Sequence, residues 1–235
     1  MSMHLHRQIE KLKSSLLEMG TLVEEALGNA IAAVDQRDPA LAQSVEEGDI
    51  RVDIKELEIE EECLATLALH QPVAQDLRYV VAVLKMNSHL ERIGDLAAHI
   101  ARQAAVIATE PPVALDGFDL SAMALSVQRV LRDSLDAFVR LDDSIAQQVR
   151  AADDEIDDMH RSAYAIVERQ MQADTSKIGS LSRLVTIVRH LERIADHSVS
   201  IAKDVIYLVS GEIVRHSRKI SLLKKQQERS ESGDA

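Results

Sequence analysis

The chain is poor in the residues that make turns, cross-links and aromatic cores. Its 235 residues include one cysteine, four prolines, eight glycines, two phenylalanines, three tyrosines and no tryptophan. A single cysteine excludes an internal disulfide. Cys63 stands among Ile59, Leu64 and Leu67, which predicts a buried, inert thiol. With so few helix breakers, long Ala-, Leu- and Glu-rich stretches run uninterrupted and favour helix by intrinsic propensity. Aromatics are 2% of the chain against 46% hydrophobic residues overall, so the core must be Leu, Ile, Val, Ala and Met. No apolar run approaches the roughly 18–20 residues of a membrane span. The opening Met1-Ser-Met-His-Leu-His-Arg lacks the apolar centre of a secretory signal. A cytoplasmic location is expected, with any membrane association peripheral and through partners. Basic residues are scarce too: 27 Lys and Arg face 39 Asp and Glu, a net charge of −12. That argues against nucleic acid as a partner, because binding it requires cationic side chains to neutralise phosphates. Bound cations and proteins with basic patches stay compatible with such a surface.

What is present is helical periodicity, twice over. Leu12, Leu16, Met19, Val23, Leu27, Ile31 and Val34 recur at steps of three or four, predicting an amphipathic helix from about Leu5 to Val34. Asp38-Pro39 supplies an N-cap and a first-turn proline for a second helix to about Leu69, with its apolar line through Leu41, Val45, Val52, Leu57 and Leu64. Gln71-Pro72 ends it, and a third helix runs from about Val73 to Ala108 before the Pro111-Pro112 and Gly117 linker. The cycle then returns, with helices over about Leu120–Leu141, Asp142–Met171 and Ile178–Val209 and with Gly211 as a C-cap. A shift of 104 residues lays Val23 on Val127, Asp38 on Asp142, Asp49 on Asp153 and Asp53 on Asp157. A shift of 101 lays His89-Leu-Glu-Arg-Ile-Gly-Asp95 on His190-Leu-Glu-Arg-Ile-Ala-Asp196. The expected architecture is therefore two tandem three-helix bundles, 1–112 and 113–216, followed by a polar tail, 217–235. The basic cluster Arg218, Lys219, Lys224 and Lys225 is read as part of a solvated tail.

The repeated acids carry the chemistry. Glu91 and Asp95 lie four apart, as do Glu192 and Asp196, so each pair shares a helix face. Asp49 with Asp53, and Asp153 with Asp157, form matching pairs one helix earlier. An antiparallel packing of the two helices would set four carboxylates together in each half. Such oxygen-rich clusters suit hard cations, Mg, Mn, Ca or Fe, and could hold more than one ion. In a chain this acidic, many acids need be no more than solvated surface, and Glu46, Glu47, Glu56, Glu60 and Glu61 read that way. So do Asp154 and Asp158. Arg92 and Arg193 directly follow their glutamates and are expected to reach another helix, since neighbours in sequence do not face each other. His89 and His190 sit on a different face from Glu91 and Glu192, where interhelical hydrogen bonding is expected before ligation; His99 and His197 are weaker candidates still. Asn87 lies four before Glu91, but Val188 stands at its counterpart, so it is at best a ligand in one half. Gly94 against Ala195 points to a close helix approach.

With these residues in view, the chain resembles the PhoU family, accessory regulators of bacterial phosphate uptake. The resemblance rests on the four-spaced acid pairs, on Gln71-Pro-Val-Ala-Gln-Asp-Leu-Arg78, on Val80-Val-Ala-Val-Leu-Lys85, on Leu90-Glu-Arg-Ile-Gly-Asp95 and on Ile201-Ala-Lys-Asp-Val-Ile-Tyr-Leu-Val-Ser-Gly-Glu212, and covers about residues 3 to 216. It implies two three-helix bundles and metal at Asp49, Asp53, Glu91, Asp95, Asp153, Asp157, Glu192 and Asp196, with multinuclear iron, zinc or other divalent ions. It also implies a homodimer and a regulator linking a phosphate transporter's ATPase subunit to a sensor histidine kinase, restraining uptake and the starvation response when phosphate is plentiful.

The residues themselves show no Gly-rich phosphate loop and no Ser-His-Asp or Cys-His arrangement, which favours a non-enzymatic adaptor. The alternatives are a di-metal enzyme for oxidation or phosphoester hydrolysis, and a metal-free scaffold. Against the first, the Glu-x-x-His pair of ferritin-like sites is missing from the repeated motifs.

Overall fold

The computed structural model describes residues 3–113 and 115–211, and among these every regular element is helical. Six long helices are present: α1 (Met3–Gln36), α2 (Pro39–His70), α3 (Ala74–Thr109), α4 (Leu120–Arg140), α5 (Asp143–Ala173) and α6 (Ile178–Ser210), with one 3₁₀ turn, Thr175–Lys177, before α6. The proposed tail from 217 on, with its basic cluster, lies outside the described residues.

Local chemistry sets the boundaries. Asp38 takes backbone N–H bonds from Ala40 (2.9 Å) and Leu41 (3.1 Å), with Pro39 opening the helix. Asp142 does the same for α5 through Ser144 (2.8 Å) and Ile145 (3.3 Å), and Asp119 caps α4 through Ala122 (2.9 Å). These caps satisfy amide groups that the helix leaves without partners. Leu141 and Asp142 are therefore the stop and start of α4 and α5 instead of members of them; Leu141 takes a left-handed conformation, φ 49°. Gly211, at φ 76°, closes α6 as its sequence position suggests.

Short links make the helices of each half antiparallel neighbours. Contacts between α2 and α3 run in opposite senses: Cys63 to Val80, Glu56 to Asn87, Asp49 to Gly94, Glu46 to Arg102. The halves then join through α3 and α6, also antiparallel, since His89 meets His197 while His99 meets His190. Alongside, α1 packs on α4. A Cβ at Gly20 would sit 3.0 Å from a terminal methyl of Leu135, so any other residue there would require the leucine side chain to give way. One continuous core results, lined by Leu12, Leu16, Met19, Met86, Leu90 and Ile93 in the first half and Met123, Leu131 and Phe138 in the second. Tyr79 on α3 meets Phe138 on α4 with ring centroids 5.8 Å apart. Cys63 is fully buried and its thiol is pushed up to about 12, mainly by loss of water, in line with an inert core residue.

On α2 the expected apolar line fails in part. Val45 and Val52 of α2 point into the bundle core, joined by Ile59 and Cys63, but Leu57 and Leu64 do not; they are more than half exposed. The line through all of them spans too wide an arc for one face, and α2 is apolar on two sides.

A candidate metal-binding seam in each half

In the first half, antiparallel packing brings the acids of α2 onto the acids of α3. Asp49 feels Asp53 on its own helix and Asp95 across the seam; with partial burial leading, its carboxyl is pushed up to about 6. Glu91 is raised as well, first by burial, then by Asp95, with Glu56 and Asp53 adding from α2 and Arg92 opposing. Gly94 explains how the helices come so near. A Cβ there would lie 3.1 Å from Val52 Cγ1 and 3.4 Å from Asp49 Oδ1.

The second half repeats the arrangement between α5 and α6. Asp153 is raised by burial, then by Asp196 and Asp157. Glu192 is raised by burial, Asp196, Asp157 and Asp153, and Asp196 by loss of water and by Asp157. Asp196 keeps much of its surface open, yet crowding by neighbouring atoms still leads its shift. Each cluster draws its carboxylates from one half alone. Among the described residues, no three His, Cys, Asp or Glu side chains close on one point as a metal's ligands do. The acids share a seam without converging.

Two members escape a reading of sequence alone. Glu56, taken for a solvated acid, is half-buried and faces the cluster: Glu91 registers its charge, and its own carboxyl is raised by burial, Glu60 and Asp53. Its counterpart in the second half is His160, which lies within the field of Asp157 and Asp196 and packs edge-on against Tyr164 at 4.7 Å. His160 Nε2 is buried without a hydrogen-bond partner. The signal was present as Asp157-x-x-His160, a carboxylate and imidazole one turn apart. Asn87 is committed differently: its Nδ2 donates to the carbonyl of Glu56 at 2.9 Å, beneath the seam.

For Arg92 the expectation is overturned. Arg92 does not reach another helix; its Nε lies 3.4 Å from Glu91 and its Nη1 3.3 Å from Asp95. The Arg92 and Glu91 side chains are long enough to bend along the helix surface, so the rule that adjacent residues diverge does not bind them. Arg92 is largely exposed, and such a pair contributes at most about 1 kcal/mol. Asp154 and Asp158 are exposed, Asp158 paired with Arg161.

Between the two seams run imidazoles. His89 Nδ1 and His197 Nδ1 lie 3.2 Å apart across α3 and α6, and His99 stacks on His190 at 5.4 Å. Burial, together with the neighbouring imidazole, pushes His190 and His197 down to about 4. Both are neutral at pH 7 and add no positive charge between the acidic clusters. Behind them Asp204 is buried, with its Oδ2 3.9 Å from His89 Nε2. Sequence reading passed over this acid inside an apolar run.

The PhoU domain model matches residues 16–104 and 120–205, one copy over each half. The chain belongs to the PhoU family. It is 37% identical over 215 residues to the phosphate-specific transport system accessory protein PhoU homolog of Pseudomonas putida, spanning 92% of this chain and 84% of that protein. Its identity to the Aquifex aeolicus homolog of the same description is 35% over 214 residues, 91% of this chain and 96% of that one. The crystal structure of PhoU from Pseudomonas aeruginosa superposes with a TM-score of 0.82 at 35% identity, over 88% of this chain and 99% of that one. The phosphate transport system regulatory protein PhoU from Streptococcus pneumoniae gives 0.80 at 29% identity, over 89% and 99%. The fold of two similar three-helix bundles is thus a PhoU-like fold.

Proposed function

We propose that this chain is a non-enzymatic accessory regulator of phosphate transport. The observation that carries this reading is its 37% identity, over 92% of its length, to a protein described as a phosphate-specific transport system accessory protein. In the finer form of the proposal it acts as a homodimer in the cytoplasm, docks on the ATPase subunit of a high-affinity phosphate transporter, and couples it to a sensor histidine kinase. With phosphate plentiful it restrains uptake and keeps the starvation response off. Among the described residues, no helix is long and apolar enough to cross a membrane, so association with a transporter would run through its protein subunits.

The seams are proposed as metal sites. Asp49, Asp53, Glu91 and Asp95, with Glu56, would hold a cation in the first half; Asp153, Asp157, Glu192 and Asp196, with His160, in the second. The donor chemistry fits. Burial first, then the nearby Asp53 and Asp95, raises Asp49 to about 6, and a divalent or trivalent ion would offset both the lost hydration and the repulsion. The unpartnered His160 Nε2 is available as a nitrogen donor. A bound ion would supply fixed positive charge on an otherwise acidic face, through which an anion could be accepted. His190 and His197, held neutral between the seams, offer no substitute for it.

Capture of partners from membranes of cells grown in high and in low phosphate tests the reading. Enrichment of a phosphate transporter ATPase or a sensor kinase is the expected outcome; enrichment of neither would remove the adaptor role. Metal content of natively prepared protein tests the seams separately.

A further inference from the structure

The second apolar face of α2 has no counterpart in the duplicated half. Ile50, Ile54, Leu57 and Leu64 are 59, 53, 58 and 52% exposed. At 3.6 residues per turn they fall within an arc of roughly 80°, opposite the buried Val45, Val52, Ile59 and Cys63, and extend about 21 Å along the helix. Their spacing of four and three, with Glu61 filling the gap, is that of a helix-pairing seam. The equivalent positions of α5 are Asp154, Asp158, Arg161 and Glu168, all exposed and charged. The bundle therefore folds without apolar residues there, and the stripe on α2 is not explained by the core of its own half.

We infer that this stripe is a docking surface for an amphipathic helix of another protein that carries Lys and Arg beside its apolar face. Charge decides between occupants. Asp53 and Glu60 border the stripe on one side, Glu47 and Glu58 on the other, and Glu61 lies within it. Of the basic residues in this span, Lys55 bridges Glu18 on α1 at 2.8 Å and the border acid Glu58 at 3.2 Å, and Arg51 stands at the margin, so the acids that dominate the stripe and its edges are Asp53, Glu60, Glu61 and Glu47. A second copy of α2 would set acid against acid along both borders, whichever way it ran. A basic helix would meet opposite charge on both. The apolar contact supplies affinity, and the flanking charges supply register and selectivity. The inference rests on the adaptor reading only in requiring a protein partner, and it does not depend on metal.

The probe is a fluorescent 18-residue helical peptide with Leu at the same four–three spacing and Lys on both borders, titrated with the full chain. Saturable binding is expected, weakened at least tenfold in an Ile54→Ser/Leu57→Ser variant and at least tenfold for the same peptide with Glu at the borders. An Asp154→Ser/Asp158→Ser variant on α5 should bind as the unaltered protein does. Should the first variant fold poorly by circular dichroism, Ile50→Ser/Leu64→Ser replaces it. Undiminished binding by the α2 variants would overturn the inference. So would sedimentation showing a dimer that these variants convert to monomer, which would give the stripe to a second copy. If the α2 variants still capture a transporter ATPase as well as the unaltered chain does, this inference falls and the adaptor reading stands; if the unaltered chain captures neither ATPase nor kinase in either phosphate condition, the adaptor reading falls.

Discussion

The α2–α3 seam and the α5–α6 seam are two answers to one packing problem. Both keep four acids in register, and burial with mutual repulsion makes Asp49 and Glu91 in one, and Asp153, Glu192 and Asp196 in the other, weaker acids than they would be in water. Within the repeated segment the residues between the acids recur almost unchanged, but other positions around the acids differ. Glu56 stands where the other half has His160, Asn87 where it has Val188, Gly94 where it has Ala195, and the exposed face of the outer helix is apolar in one half and charged in the other. A set of repelling carboxylates brings nothing to packing, yet it recurs in both halves. The contrast separates what the bundle needs, a core and close helices, from what the acids themselves are for.

Removing the acids gives the largest expected effect. Glu91→Gln/Asp95→Asn should abolish metal uptake by the first half and leave the second loaded, and Glu192→Gln/Asp196→Asn should do the reverse. The loss should exceed the roughly 10–100-fold that removal of an outer-shell partner costs. Plasma mass spectrometry of each variant reads the stoichiometry, and unchanged metal in both would break the pairing of the seams. A subtler split concerns preference. Imidazole suits zinc and iron, while an all-carboxylate set suits magnesium, calcium and manganese. His160→Glu should therefore lower the zinc-over-manganese preference of the second seam by about tenfold, and Glu56→His should raise it in the first, as competitive titration calorimetry would measure.

Stability changes should be smaller. Gly94→Leu forces a side chain into Val52 and should cost about 1–3 kcal/mol, or roughly 3–10 °C in melting temperature for a chain of this size. Ala195→Gly should cost about 1 kcal/mol through helix propensity alone. Equal losses at the two sites would show that α2 and α3 approach no more closely than α5 and α6. In chelator-treated protein, Asp49→Asn should raise the melting temperature at pH 7.5 by roughly 2–4 °C, for relief of about 1 kcal/mol after allowance for solvent screening. The sign follows from the direction of the shift. The folded chain holds the Asp49 proton up to about pH 6, against 3.8 when the carboxyl is free in water, so the fold is favoured at low pH and loses that advantage as pH rises between those values. The gain from Asn should accordingly vanish below pH 3.8.

Most of the fold was legible because its determinants are local. Asp38-Pro39, Gln71-Pro72 and Asp142 mark helix ends by capping chemistry, and the apolar repeat of α1 maps directly onto its buried face. The meeting of the acid pairs was legible because duplication displayed them twice and short links dictate antiparallel neighbours. Other features depend on interhelical register, which spacing within one helix does not fix. Glu56 and His160 join the seams only once α2 and α5 are rotated and slid into place. The imidazole pairs need α3 and α6 to cross at the right residues. Leu57 and Leu64 misled for the opposite reason: a hydrophobic residue announces apolar contact but not whose.

The linker between the halves begins at Glu110, and its start is held from three directions. Ser180 and Arg183 of α6 bind its carboxylate at 2.8 and 3.0 Å, and the Arg37 guanidinium donates to its carbonyl and to that of Ile107. A connection anchored this way, beside the α3–α6 contact, gives the molecule little freedom to bend at its waist. Heat should melt both bundles in one calorimetric step. An event felt at one seam would then reach the other as a displacement of the whole body.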